Sequence, residues 1–163
     1  MKDKKIKIFT LGGSIDKNYS MEKSDFVVDA PQISKVLEEA NVTFPFEVEE
    51  IIRKDSLKIT DDERTLLRKK IENETAKRII ITHGTDTMHL TGQALQSIKD
   101  KTIVITGAMQ PAAFKNTDAH FNIGTAFIAV QTLDPGVYIV MNGQVFDPND
   151  MKKNMDTKTF EKK

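Results

Sequence analysis

A mostly parallel β-sheet with helices on both faces is the fold class the sequence predicts, and two features predict it. Short runs, most of them almost wholly apolar, recur at Ile6, Ile8 and Phe9, at residues 48–53, at Arg78–Thr82, at Thr102–Thr106 and at residues 137–141. Between them lie stretches whose apolar residues fall at helical spacing. Parallel neighbours need crossover connections, so strands alternating with helices of roughly 10 to 15 residues imply strands buried on both faces.

The elements follow in chain order. The first strand stops at Leu11-Gly12-Gly13-Ser14, and a polar stretch to Asp29 without periodicity reads as a mobile loop. Pro31 suits the first turn of a helix reaching about Ala40, with Ile33, Val36, Leu37 and Ala40 on one face. After the second strand, Thr60 and Glu63 form a capping box, and Leu66, Leu67 and Ile71 continue an apolar face. His83-Gly84-Thr85-Asp86 closes the third strand and leads into a helix with Met88, Thr91, Leu95 and Ile98 on one stripe. A helix from about Asn116 to Thr132 buries Ala119, Ile123, Ala126, Phe127 and Val130. Asn142-Gly143 suits a type I′ turn, returning the chain through Val145-Phe146 as a C-terminal β-hairpin before a Lys-rich tail. The predicted whole is one flavodoxin- or Rossmann-like domain over residues 1–163.

At 163 residues the chain can bury about two-thirds of its unfolded surface in one core. Its 24 basic and 24 acidic residues balance, so no overall field favours nucleic acid or an anionic membrane, and a small-molecule substrate stays open. No cysteine is present, which removes disulfides, thiolate metal sites and a Cys nucleophile. No apolar run approaches the roughly 20 residues of a membrane span, and Met1 to Lys5 is charged rather than leader-like, so the expectation is a cytoplasmic protein.

Ligands of open α/β sheets bind beyond the carboxyl ends of the strands, where strand order reverses. Three loops belong there. Gly12-Gly13-Ser14 offers a hydroxyl among amides that glycine leaves accessible. His83-Gly84-Thr85-Asp86-Thr87 sets a hydroxyl beside a carboxylate at a helix mouth. Gly107-Ala108-Met109-Gln110-Pro111 reads as structural. Each also has a plain reading, as a turn or a helix cap. His83, His89 and His120 lack a metal-ligand spacing, so no metal is assigned. A P-loop, a dinucleotide fingerprint and a Gly-x-Ser-x-Gly elbow are all missing, so a hydroxyl nucleophile would need a base other than histidine.

Taken in order, these segments resemble the bacterial-type asparaginase family. The family's Thr-Gly-Gly-Thr-Ile stands here as Leu11-Gly12-Gly13-Ser14-Ile15, and its His-Gly-Thr-Asp-Thr-Met is intact from His83 to Met88. Asp55-Ser56, Ile59 to Asp62, Thr106 to Met109 and Val140 to Asn142 follow in family order. The resemblance covers the family's N-terminal catalytic domain; usual members continue beyond the region of Phe160 into a second, smaller domain.

It implies an amidohydrolase cleaving the side-chain amide of asparagine through a hydroxyl nucleophile and an acyl-enzyme, without a cofactor. Residue by residue, Ser14 takes the place of the first nucleophilic threonine and Tyr19 that of the loop tyrosine that polarises it. Thr85, Asp86 and a tail lysine form the second cluster, with the lysine as base; counting from Met141-Asn142 gives Lys153, with Lys152 one step away. Gly13, Ser56, Gly84, Thr85 and Asp86 bind substrate. Leu57 stands where the family usually has glutamine, as Leu11 and Ser14 replace threonines. Because members close the site with a second domain from a neighbouring copy, a homo-oligomer, at least a dimer, is expected. Alternatives are a non-catalytic Asn/Asp-binding module, a hydrolase of another small amide, or a nucleotide binder using the first glycine loop.

Overall fold

A computed structural model describes residues 4–163. Five strands form the parallel part of a six-stranded sheet: β1 (Ile6–Gly12), β4 (Phe46–Lys54), β5 (Arg78–Thr82), β6 (Thr102–Thr106) and β7 (Gly136–Met141). The spatial order is β4-β1-β5-β6-β7, and β8 (Gln144–Phe146) adds antiparallel to β7. Counted among the parallel strands alone, this is the 2-1-3-4-5 order of flavodoxin-like sheets. The connection direction reverses at β1, so the turns after β1 and β5 flank the switch point.

Alternation along the strands divides the core into two layers. Phe9, Leu11, Ile79, Ile81, Ile103, Ile105, Ile139 and Met141 pack on α2 (Asp61–Asn73) and α3 (Met88–Leu95). Ile6, Ile8, Ile80, Val104 and Val140 pack on α1 (Ile33–Glu39) and α4 (Ala119–Thr132). Both faces are thus dry, which is why β5 and β6 read as unbroken apolar runs. The α2 start carries the predicted reciprocal cap: Thr60 Oγ1 accepts from Glu63 N and Glu63 accepts from Thr60 N. Asn142 and Gly143 take φ of 53° and 71°, as a type I′ turn requires.

Three expectations are corrected. The polar stretch after Ser14 is a regular antiparallel hairpin outside the main sheet, β2 (Lys17–Ser20) with β3 (Asp25–Val28), not an irregular loop. The Lys-rich tail is also a hairpin, β9 (Lys152–Asn154) with β10 (Thr159–Glu161). Met151 and Phe160 dock it: both are buried in the α2/α3 layer, Phe160 lies 6.5 Å from the Phe146 ring, and its N–H donates to Asn142 Oδ1 at 2.8 Å. Leu66, read as a core position, is 61% exposed, and Arg64 occupies the buried stripe instead.

Candidate active site

Glycines bring three strand-end turns into backbone contact. Gly13, at φ +87°, leaves no room for a side chain: a Cβ there would lie 2.4 Å from both Cα and N of Gly84. Gly84 is equally hemmed in, since its Cβ would fall 2.6 Å from Ser56 Cβ. Gly13 N also donates to Lys54 O at 2.9 Å. The turns after β1, β5 and β4 therefore touch, and Gly13, Gly84 and Ser56 form their shared floor. Ser14 is half-buried beside it and opens a 3₁₀ turn, Ser14–Asp16. Ser56 is 2% exposed, and its buried Oγ makes no hydrogen bond among the described residues, an unmet polar group at the floor of the turns.

The second cluster is assembled from opposite ends of the chain. Lys153 Nζ donates to Thr85 Oγ1 and to Asp86 Oδ1, each at 2.8 Å. The Lys153 side chain is 19% exposed. Lys152 points the other way, pairing with Glu161 at 3.2 Å in solvent. Strand alternation separates the two lysines: anchoring Met151 in the core sets which neighbour faces Thr85. An amine that bridges a hydroxyl and a carboxylate can take the hydroxyl's proton once it has lost its own, with the carboxylate holding it in line.

His83 is fully buried and serves the loop rather than a metal. Its Nδ1 bonds Gly84 O and its Nε2 bonds Thr91 Oγ1, both at 2.7 Å. Burial, helped by the nearby positive charges of Arg64 and His89, pushes its pKa down to about 4, so the ring is neutral. Sequence reasoning missed Arg64, which donates to Thr91 Oγ1, Thr87 Oγ1 and Asp61 Oδ1 at 3.0, 3.1 and 3.0 Å. Thr87 Oγ1 in turn donates to Ser56 O at 2.8 Å. The available signal was a cation three residues before Leu67 and seven before Ile71, on the buried stripe.

Tyr19 is not brought to Ser14. It stands on β2, 53% exposed, edge-on to Phe26 at 5.5 Å, and its hydroxyl makes no hydrogen bond to Ser14. Leu57 is 72% exposed at the rim. The third loop is structural: the Asp118 carboxylate accepts from Met109 N and Gln110 N at 2.9 and 3.0 Å, and Asn122 Nδ2 donates to Gly107 O at 3.0 Å. A further buried carboxyl, Asp16, lies under the hairpin. Its Oδ1 accepts from Gln32 N at 2.9 Å, Oδ2 has no partner among the described residues, and burial raises its pKa to about 7.

An open α/β domain whose switch point carries one hydroxyl turn and one Thr-Lys-Asp cluster has the groups that hydroxyl-dependent acyl transfer requires. Comparison with known proteins names the family. Residues 5–162 match the family model "Asparaginase, N-terminal", and the chain belongs to the asparaginase family. It is 32% identical over 170 residues to "L-asparaginase 2" of Escherichia coli (strain K12), covering 93% of this chain and 47% of that protein. It is 32% identical over 111 residues to "Glutaminase-asparaginase" of Acinetobacter glutaminasificans, covering 62% of this chain and 33% of that one. The fold matches the thermostable L-asparaginase from Thermococcus kodakarensis with a TM-score of 0.82 at 23% identity, over 97% of this chain and 51% of that one. The chain thus spans about half the length of the full asparaginases it matches.

Proposed function

We propose that the chain hydrolyses the side-chain amide of L-asparagine to L-aspartate and ammonia. The observation that carries this reading is the Lys153 contact with Thr85 and Asp86, made across a sequence separation of 68 and 67 residues. Ser14 attacks the amide carbon, ammonia leaves, and the resulting ester is hydrolysed by water. Thr85 and Lys153 move the protons, Asp86 orients Lys153 and meets the substrate's amino group, and the free Ser56 hydroxyl meets its α-carboxylate. Closure of the β2–β3 hairpin would carry Tyr19 towards Ser14. No cofactor enters this scheme.

Ammonia release from asparagine by wild type, Ser14→Ala and Thr85→Val tests it: wild-type turnover abolished in both variants is the expected result. Absence of wild-type turnover, with L-aspartate still raising the melting temperature, would replace it by the second reading, a non-catalytic Asn/Asp-binding domain. The exposure of Leu57 and Tyr19 favours that alternative. The reading includes self-association, at least as a dimer, because the Asp86 side chain is 40% exposed and the cleft wants a wall; light scattering gives the mass. It also includes a cytoplasmic location, on the likeness at 24% identity and TM-score 0.80 to the "Probable Cytoplasmic L-asparaginase from Campylobacter jejuni". A Haemophilus influenzae relative, 32% identical, is called periplasmic, so cell fractionation decides between the two.

A further inference from the structure

Arg64 is 5% exposed, yet its carboxylate partner, Asp61, has a side chain 97% exposed to water. A guanidinium taken out of solvent gains little from such a partner, and apolar side chains often replace buried ion pairs without loss of stability. Nor does α2 depend on it, because the helix has its capping box and the buried Leu67 and Ile71. The remaining donors of Arg64 go to two threonine hydroxyls, and each hydroxyl ends on a turn of the site. Through Thr87 the path reaches Ser56 O; through Thr91 and His83 it reaches Gly84 O.

Arginine donates only, and each threonine hydroxyl has one proton. With Arg64 donating to both oxygens, Thr87 must point its proton at Ser56 O and Thr91 its proton at His83 Nε2. His83 then keeps its proton on Nδ1 and donates to Gly84 O. The carbonyl ends, which only accept, agree with these directions, and one rigid planar fork ties together the two threonines that head the relays and so fixes the separation of their ends. We propose that Arg64 is a positioning residue for amide hydrolysis, fixing the Ser56 turn against the Gly84–Asp86 loop so that the group that grips the substrate and the group that transfers protons keep one spacing. This rests on the asparaginase reading above.

The two branches make the proposal testable by a split in kinetic constants. With asparagine, Thr87→Val releases the Ser56 turn and raises KM about tenfold with kcat little changed, the size expected for one charge-assisted hydrogen bond. Thr91→Val loosens the Gly84–Asp86 loop and lowers kcat about tenfold with KM little changed. Arg64→Met does both, while its melting temperature stays near that of wild type. Arg64→Lys restores the charge but not the function, since one ammonium lacks the fixed fork. Recovery of wild-type constants by Arg64→Lys, or a loss of melting temperature in Arg64→Met that accounts for the lost activity, would overturn the proposal.

Hydrogen exchange separates this from failure of the asparaginase reading. If wild type releases no ammonia, faster exchange at residues 56–58 and 84–87 in Arg64→Met, with β5 and β6 as protected as before, still supports positioning by Arg64. Unchanged exchange at those residues rejects it.

Discussion

Beyond β5 the chain is tied at almost every residue, whereas beyond β1 it soon leaves the sheet altogether. From His83 to Thr87, both ring nitrogens of His83 are bonded, Gly84 is wedged between Gly13 and Ser56, Thr85 and Asp86 are held by Lys153, and Thr87 links Arg64 to Ser56 O. From Ser14 onward, the holds are sparser: Ile15 O accepts from Ala112 N, Asp16 O accepts from Asp29 N, and Asp16 Oδ1 caps the approach to α1. The hairpin beyond them exposes Tyr19, Met21 and Phe26 and touches the body through the Phe26–Phe114 ring contact, the Lys17–Asp55 ion pair at 3.6 Å and Val28 beside Gly12. Proton transfer needs hydrogen-bond geometry held steady, while substrate entry needs a segment of low local stability. On the proposed asparaginase reading, these demands fall on different sides of the switch point.

The rigid side is broken most severely by removing its amine. Lys153→Met should lower ammonia release about 10²- to 10⁴-fold, the usual scale of general acid-base catalysis. Lys152→Met should leave it within about twofold, because an exposed ion pair contributes little. Steady-state assays of the two variants side by side show whether the cluster or merely tail charge matters.

Next comes packing. Gly84→Ala would push a methyl to within 2.6 Å of Ser56 Cβ, and overpacking of this kind costs about 1–3 kcal/mol, read as a lower melting temperature together with lost turnover. Gly124→Ala makes the contrast. That glycine lies in α4 with nothing within 4 Å of its Cβ, so the change should stabilise by about 0.5–1 kcal/mol through helix propensity.

Beside the hairpin, Asp16 should make stability fall with rising pH. Its folded pKa is raised from 3.8 to about 7, chiefly by burial, with Glu50 and Asp29 adding negative charge against the Gln32 N–H and Arg53. Below pH 3.8 both states hold the proton. Between 3.8 and 7 the unfolded chain has lost it while the folded chain keeps it, so stability declines across that window and stays low above it. Asp16→Asn should remove the slope and gain on the order of 1–3 kcal/mol above pH 7, checked by urea titrations from pH 4 to 8. The smallest effect is dynamic: amides of residues 17–28 should exchange faster than those of 83–87, and a ligand at the site should narrow the gap. Equal protection of the two segments without ligand would remove the contrast.

Legibility followed burial. Arg78–Thr82 and Thr102–Thr106 are predicted with the same bounds the structure gives them, because strands covered on both faces must be apolar throughout. The β2–β3 and β9–β10 hairpins escaped, since strands of only 3 or 4 residues are too short to display a period. In the candidate site, motif order singled out Gly13, Gly84, Ser56, Thr85 and Asp86, which the fold brings together, but left Lys152 and Lys153 both open. Arg64 was not, because a cation among α2's charged residues looks solvated until the helix is docked. Tyr19 stands exposed on β2, a strand that no periodicity in the sequence announces.

By itself, then, the sequence determined the alternating α/β order, the two hydroxyl-bearing turns and the family, each a matter of local residue type and spacing. Tertiary structure decided which lysine meets Thr85, where Arg64 sends its donors, and how tightly each half of the switch point is held. Those outcomes depend on which apolar residues anchor a segment, as Met151 and Phe160 anchor the tail. Periodicity assigns the burial of apolar stripes, but where a charged side chain such as Arg64 or Lys153 ends up is a property of the packed whole.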